Sequence, residues 1–189
     1  MIHYTVTMKH SEKSFEALAH MQYDLFCKTN QISRMIISLG SILLGAANMD
    51  AWWGVLLLAY GGYMSTSKYA SANRTAHKLC AGIKQSGMDF PASRLEFDNT
   101  GVSIIALPEQ PDQNSRLAYG DVARLGEDDG YFYIFRDQYG GYMVPRDQLG
   151  DNAYDFRAFI EQKTGKRMQS RFAPVVKLID RVMTRKRKK

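Results

Sequence analysis

Between Arg34 and Lys68 lies a long apolar run, Met35 to Ser67, that carries a single charge, Asp50. A chain with such a stretch must hide it from water, in lipid or inside protein. Asn48-Met49-Asp50 is a turn-forming triplet near its middle, and it divides the stretch into two apolar halves. The expectation is a helical hairpin that crosses a bilayer twice. Hydrocarbon about 30 Å thick asks for about 20 helical residues. The arms Ile32–Met49 and Asp50–Ser67 are equal in length and both fall slightly short of that. A thin bilayer, or lysines and arginines snorkelling at the ends, absorbs the difference. The competing reading is a buried hairpin inside a soluble bundle. It is disfavoured because a soluble helix keeps a polar face, and neither half has one.

The flanks orient the hairpin. Lys28 and Arg34 precede the first arm, and Lys68, Arg74, Lys78 and Lys84 follow the second, whereas the turn carries only Asp50. Positive residues favour the cytoplasmic side. The expected topology is therefore a two-pass protein of the cell membrane with both termini cytoplasmic and Asp50 outside. Trp52 and Trp53 fall just past the turn, and Tyr60, Tyr63 and Tyr69 approach the other end, as in an aromatic belt. Small residues (Gly40, Ser41, Gly45, Ala46, Gly54, Ala59, Gly61, Gly62) let helices approach closely. Packing within the hairpin is favoured over a dimer motif, and a homo-oligomer stays open.

The mean hydropathy of −0.33 is ordinary for a soluble protein, so the membrane reading rests on where the apolar residues are. The segment before the hairpin holds His10, Glu12, Lys13 and Asp24 and lacks the apolar core of a signal peptide. Cys27 and Cys80 fall on the expected cytoplasmic side, where a structural disulfide is disfavoured. His3, His10, His20 and His77 show no metal-ligand spacing, and no cofactor is implied. The net charge of +6 conceals an asymmetry. From Lys163 to Lys189 a dense series of Lys and Arg is opposed by Asp180 alone, so the chain before Lys163 is net acidic. Such a tail is an interaction signal.

Along the chain, Ile2 to Met8 alternates as a half-buried strand, and Ser11 caps a helix starting near Glu12, with Phe15, Leu18, Ala19, Leu25 and Phe26 on its apolar face. Tyr69–Ser86 reads as a helix that Gly87 and Pro91 end. From Ala92 the pattern changes to short strands and turns. Leu95 and Phe97 lead into the turn Asp98–Gly101 and then Val102–Leu107, a hairpin signal. Pro108–Ser115 is a polar loop. Arg116–Tyr119, Val122–Leu125, Tyr131–Phe135 and Tyr142–Val144 follow as strands. Asp151 or Asn152 caps a helix whose face is Phe156, Phe159 and Ile160, and Gly165 stops it. Antiparallel strands closed by one helix make an α+β unit. The expected parts are residues 1–31, strand and juxtamembrane helix; 32–67, transmembrane hairpin; 68–90, juxtamembrane helix and linker; 91–165, β-rich domain; and 166–189, basic amphipathic tail.

Several stretches then stand in a telling order. They are Leu95-Glu96-Phe97-Asp98-Asn99-Thr100-Gly101-Val102, Ala118-Tyr119-Gly120-Asp121-Val122, Tyr131-Phe132-Tyr133-Ile134 and Met143-Val144-Pro145-Arg146. With the preceding strand, helix and apolar hairpin, residues 1–162 resemble the YcxB-like family of small bacterial membrane proteins. The resemblance implies a two-pass membrane protein whose cytoplasmic domain is similar to pleckstrin-homology-type folds. It brings no activity and no catalytic residues.

The residues themselves point away from catalysis. Gly61-Gly62 and Gly140-Gly141 are not phosphate loops, and no serine sits in a nucleophile elbow. Asp128-Asp129 is read as a turn because Gly130 follows. Tyr119, Tyr131, Tyr133 and Tyr142 are read as core and cross-strand packing rather than a groove. The expected function is a membrane-anchored cytoplasmic binding module, not an enzyme, with an unidentified protein partner. The alternative is a component of a membrane enzyme or transport complex, which usually places ionisable groups inside the membrane. In the tail, Phe172, Val176, Ile179 and Met183 share a helical stripe, and Arg185, Lys186, Arg187, Lys188 and Lys189 end the chain. The polybasic run alone suits nucleic acid or an anionic inner leaflet. The apolar stripe favours the leaflet, because the headgroup–acyl boundary can bury it.

Overall fold

The computed structural model describes residues 1–109 and 111–170. The alternating N-terminal segment forms strand β1 (Tyr4–Lys9), burying Val6 and Met8. Ser11 then caps helix α1 (Glu12–Phe26) through a reciprocal box, its hydroxyl accepting from the Ser14 N–H and the Ser14 hydroxyl accepting from its own N–H. Three more helices follow: α2 (Lys28–Ala47), α3 (Trp52–Thr66) and α4 (Ala70–Gln85). The strands are β2 (Ala92–Phe97), β3 (Gly101–Leu107), β4 (Ser115–Ala118), β5 (Arg124–Glu127), β6 (Tyr131–Phe135) and β7 (Gly141–Pro145). Helix α5 (Ala153–Thr164) ends at Gly165, whose φ of 65° is the left-handed conformation that glycine tolerates, and β8 (Met168–Ser170) closes the described chain.

The strands make two four-stranded sheets, ordered β1-β2-β3-β4 and β7-β6-β5-β8. The first is antiparallel throughout, and in the second β8 runs parallel to β5. Val6, Leu95 and Phe97 of the first sheet, Phe132 and Ile134 of the second, and Phe156 and Ile160 of α5 belong to one buried core. The N-terminal strand is thus an edge of the sandwich, although four helices separate it in sequence from its partner β2.

Helix α1 covers the other face of the second sheet. Met21 and Leu25 pack against Tyr133, Phe135 and Met143. Gly126 makes room for them, since a Cβ there would lie 2.9 Å from the Met21 side chain. Burial on both faces is why Tyr131–Phe135 reads as an unbroken apolar run. Helix α4 lies antiparallel on α1, which it meets through the small buried side chains Ala72, Ala76 and Cys80. Polar pairs follow the same register: Glu12 with Lys84, Glu16 with His77 at 3.5 Å, and Asp24 with Lys68 at 2.8 Å.

The transmembrane hairpin expected over 32–67 is corrected by the helix lengths. No described helix is long and apolar enough to cross a membrane. Helix α2 has 20 residues, but its first turns hold Lys28, Asn30, Gln31 and Arg34. Helix α3 has 15 residues, about 22 Å at 1.5 Å per residue, against hydrocarbon about 30 Å thick. The Asn48–Asp50 turn removes residues that the sequence reading assigned to the arms. The amphipathic C-terminal helix of the expected fold lies outside the described residues. Phe159 is only half-buried, at the margin of the core, where its ring meets His3, Tyr4 and Tyr119.

Candidate functional site

Helices α2 and α3 pair closely, and their seam is built from small and polar residues. Ser38, Ser41 and Gly45 of α2 are buried against Gly54 and Gly61 of α3. Backbones touch here: a Cβ on Gly54 would stand 1.9 Å from the Asn48 carbonyl oxygen, and one on Gly61 would stand 2.8 Å from that of Ser38. The Ser38 hydroxyl donates to the Gly61 carbonyl at 2.7 Å. Gly40 and Gly62 have open space over their missing Cβ and lie outside the seam.

Large apolar side chains point the other way. Ile36, Leu43 and Leu44 of α2 are 60–62% exposed, and Trp52, Val55 and Leu56 of α3 are 53–77% exposed. This inverts the usual amphipathic helix, which turns its apolar stripe inward. Small residues inside with interhelical hydrogen bonds, and bulky apolar residues outside, is the arrangement helices adopt in lipid.

The base of the hairpin is polar and basic. Arg34 reaches across to the end of α3, donating to the carbonyls of Met64 and Ser67 and to the Ser67 hydroxyl at 2.8 Å. Its charge faces the negative end of that helix. Lys28 donates to Gln169 Oε1 at 2.7 Å, tying α2 to β8. The last turn of α1 is fixed on the second sheet by Phe26, which packs edge-on against Phe135 and lies under the Arg124 guanidinium, 4.7 Å from it. The hairpin therefore leaves from the Arg124 end of β5, and Ser170 stands at the other end, beside Glu127.

That second end carries a cavity of about 360 Å³ lined by Glu127, Asp129, Arg146, Tyr154, Arg157 and Ser170 among others. Glu127 accepts from Arg146 at 2.8 Å and pairs with Arg157 at 3.0 Å. Arg146 also lies over the Phe132 ring at 4.3 Å. Asp128 Oδ1 accepts from the N–H groups of Gly130 and Tyr131, and Oδ2 from the Tyr133 hydroxyl. Asp128-Asp129 is thus a turn, and the charges at this end largely satisfy one another. Among the described residues no group of three or more His, Cys, Asp and Glu is placed to hold a metal ion. Tyr119 and Tyr133 are buried, while Tyr131 is half-buried at the rim of two neighbouring grooves. Burial and the Asp98 charge push the Tyr119 phenol up to about 12.

The tail residues singled out in the sequence, Phe172, Val176, Ile179, Met183 and Arg185 to Lys189, all lie outside the described residues. What the sequence did not mark is Asp24, fully buried at the base of the hairpin. The available signal was an isolated acid about one turn before the basic flank at Lys28.

Residues 97–161, from the end of β2 to within α5, match the family model of the YcxB-like proteins. The chain carries a YcxB-like domain. The matched segment supplies most of the sandwich and its closing helix, while β1, all of β2 but Phe97, β8 and the four helices α1 to α4 stand outside the match. A search of the curated proteins finds no match to the chain. The YcxB-like domain thus sits beside an apolar hairpin that the match does not reach.

Proposed function

We propose that this protein is a membrane-anchored binding module, in which the α2–α3 hairpin holds the YcxB-like domain at a lipid surface and the domain serves as the interaction surface for a protein partner. The observation that carries the reading is the inverted hairpin, with glycine and serine in its seam and exposed Ile, Leu, Val and Trp around it. Soluble monomers rarely leave large contiguous apolar patches bare, and both helices turn several large apolar side chains outward. Attachment does not require either helix to run from face to face, and the proposal assigns no crossing. The basic base, with Lys28 and Arg34, suits an anionic leaflet, which favours the cytoplasmic side. The basic tail offers a second contact of the same kind through its own stripe.

Flotation of the full chain with anionic phospholipid vesicles tests the attachment. The unaltered protein is expected to float with the vesicles. A variant with Ile36→Asn, Leu43→Asn and Leu56→Asn, whose replaced side chains all face outward, is expected to stay at the bottom in high salt, which releases the basic tail. If the unaltered chain stays at the bottom as a folded monomer, or the variant still floats in high salt, the hairpin is not the anchor.

A further inference from the structure

The chain enters and leaves the hairpin at two points, Cys27 between α1 and α2 and Ser67–Tyr69 between α3 and α4. Both depart from helical geometry: Cys27 has φ −104°, ψ 32°, and Tyr69 has φ −98°, ψ 10°. Two such breaks side by side would make a hinge if nothing spanned them. One carboxylate does. Asp24, in the last turn of α1 and 0% exposed, places Oδ1 2.8 Å from the Lys68 ammonium and accepts on Oδ2 from the Tyr69 hydroxyl at 2.8 Å. Oδ1 takes an ion pair rather than a well-angled hydrogen bond. Lys68 in turn donates to the Tyr69 oxygen at 3.0 Å, so the three groups close a triangle.

A second layer holds the triangle in place. The Tyr69 ring stacks on His20 at 4.1 Å, and His20 bonds Asn73, which links α1 to α4 below the break. Above it, the Gln31 amide donates to the Tyr23 carbonyl across the first break, and Arg34 holds Ser67 at the second. An ion pair with one buried partner gives little net stability over well-packed apolar residues, and in some proteins such a pair serves to fix one geometry. Its use here, where both chain breaks between hairpin and sandwich come together, is what the geometry must explain.

We infer that Asp24, Lys68 and Tyr69 form a clasp that fixes the angle between the α2–α3 hairpin and the YcxB-like domain. The domain is then presented in one orientation to whatever surface the hairpin enters. Asp24 is a positioning residue, acting through Lys68 and Tyr69. The clasp stands on the junction alone and holds whether or not the hairpin meets lipid.

Pulsed electron paramagnetic resonance on the full chain in detergent tests it. Nitroxides are placed at Ala59→Cys in the hairpin and Gln113→Cys in the sandwich, both exposed, in a Cys27→Ser, Cys80→Ala background. With Asp24, Lys68 and Tyr69 intact, this background is expected to give one narrow distance distribution. Asp24→Asn is expected to broaden it while hydrogen exchange of the β2, β3 and β6 amides stays as slow as before. The pair Asp24→Leu with Lys68→Met removes both charges and keeps the bulk, so it remains folded if the single variant does not, and it too is expected to broaden the distribution. Glu12→Gln, at the far end of the α1–α4 ladder, is expected to leave it narrow. A distribution that stays narrow in the Leu–Met pair overturns the clasp. So does exchange that rises throughout the sandwich in that pair, which would make the triangle a general contributor to stability.

Discussion

Asp98 opens the β2–β3 turn, and its carboxylate gathers four donors. Arg116 reaches Oδ2 at 2.6 Å, and the Thr100 N–H, the Thr100 hydroxyl and the Gly101 N–H bond Oδ1 at 2.7–2.9 Å. The Arg116 bond, more than any other, holds the carboxyl well below the usual carboxylate range, and the turn's bonds from Thr100 and Gly101 add to it. A depressed value in the folded state means that Asp98 favours folding above the unfolded value of about 3.9 and loses that contribution as pH falls through the folded value. Carboxyl carbon shifts of Asp98 followed by NMR are expected to stay ionised down to the lowest pH at which the fold persists. Arg116→Ala is expected to bring the titration upward, toward ordinary aspartates. A midpoint in the unaltered protein at the ordinary aspartate value would contradict the turn geometry. The sequence marked Asp98-Asn99-Thr100-Gly101 as a turn because those residue types favour turns. It carried no sign of Arg116, which comes from a later strand.

At the scale of elements, short-range signals were readable and long-range pairings were not. Ser11 at the start of α1, Gly165 at the end of α5 and the strand Tyr131–Phe135 stand where residue type alone puts them. The strand expected over Val122–Leu125 starts later, because Tyr119–Asp121 takes a short 3-10 turn before β5 begins at Arg124. Asn152 makes no side-chain cap, since the turn Gly150–Asn152 leads directly into α5. The face of α5 separates into an inner and an outer part. Phe156 is fully buried and meets Phe97 edge-on at 5.0 Å and Tyr4 at 5.2 Å. Phe156→Ala is expected to cost about 3–5 kcal/mol, as for other large-to-small changes at a buried Phe. Phe159→Ala is expected to cost clearly less. Denaturant midpoints of the full-length variants in detergent, read by circular dichroism, check the order, and equal losses would refute the division of the face.

For the molecule as a whole, the apolar run was the plainest feature of the sequence, yet its length misled. A nearly uncharged stretch from Met35 to Ser67 suggested two crossings, whereas the turn and the polar start of α2 leave helices too short for that. What survives is the choice of residues: small inside the seam, large outside. The seam's Gly45, Gly54 and Gly61 were visible as small residues, but only the packing separates them from Gly40 and Gly62. The junction was not legible, because Asp24 and Lys68 stand on opposite sides of the hairpin in sequence and read separately as an isolated acid and a basic flank. The YcxB-like match covers most of the sandwich and is silent on the hairpin that carries it.

Trp52 and Trp53 are the only tryptophans in the chain, and both lie at the tip of the hairpin, exposed to solvent in the isolated protein. They report, without added labels, on whether the hairpin enters lipid. The full chain, reconstituted from detergent into anionic vesicles whose lipids carry bromine at a known acyl depth, is expected to show blue-shifted tryptophan emission that the bromine quenches. Emission that keeps its position in water and is untouched by bromine, from a chain whose circular dichroism is still native, would contradict a lipid-bound hairpin.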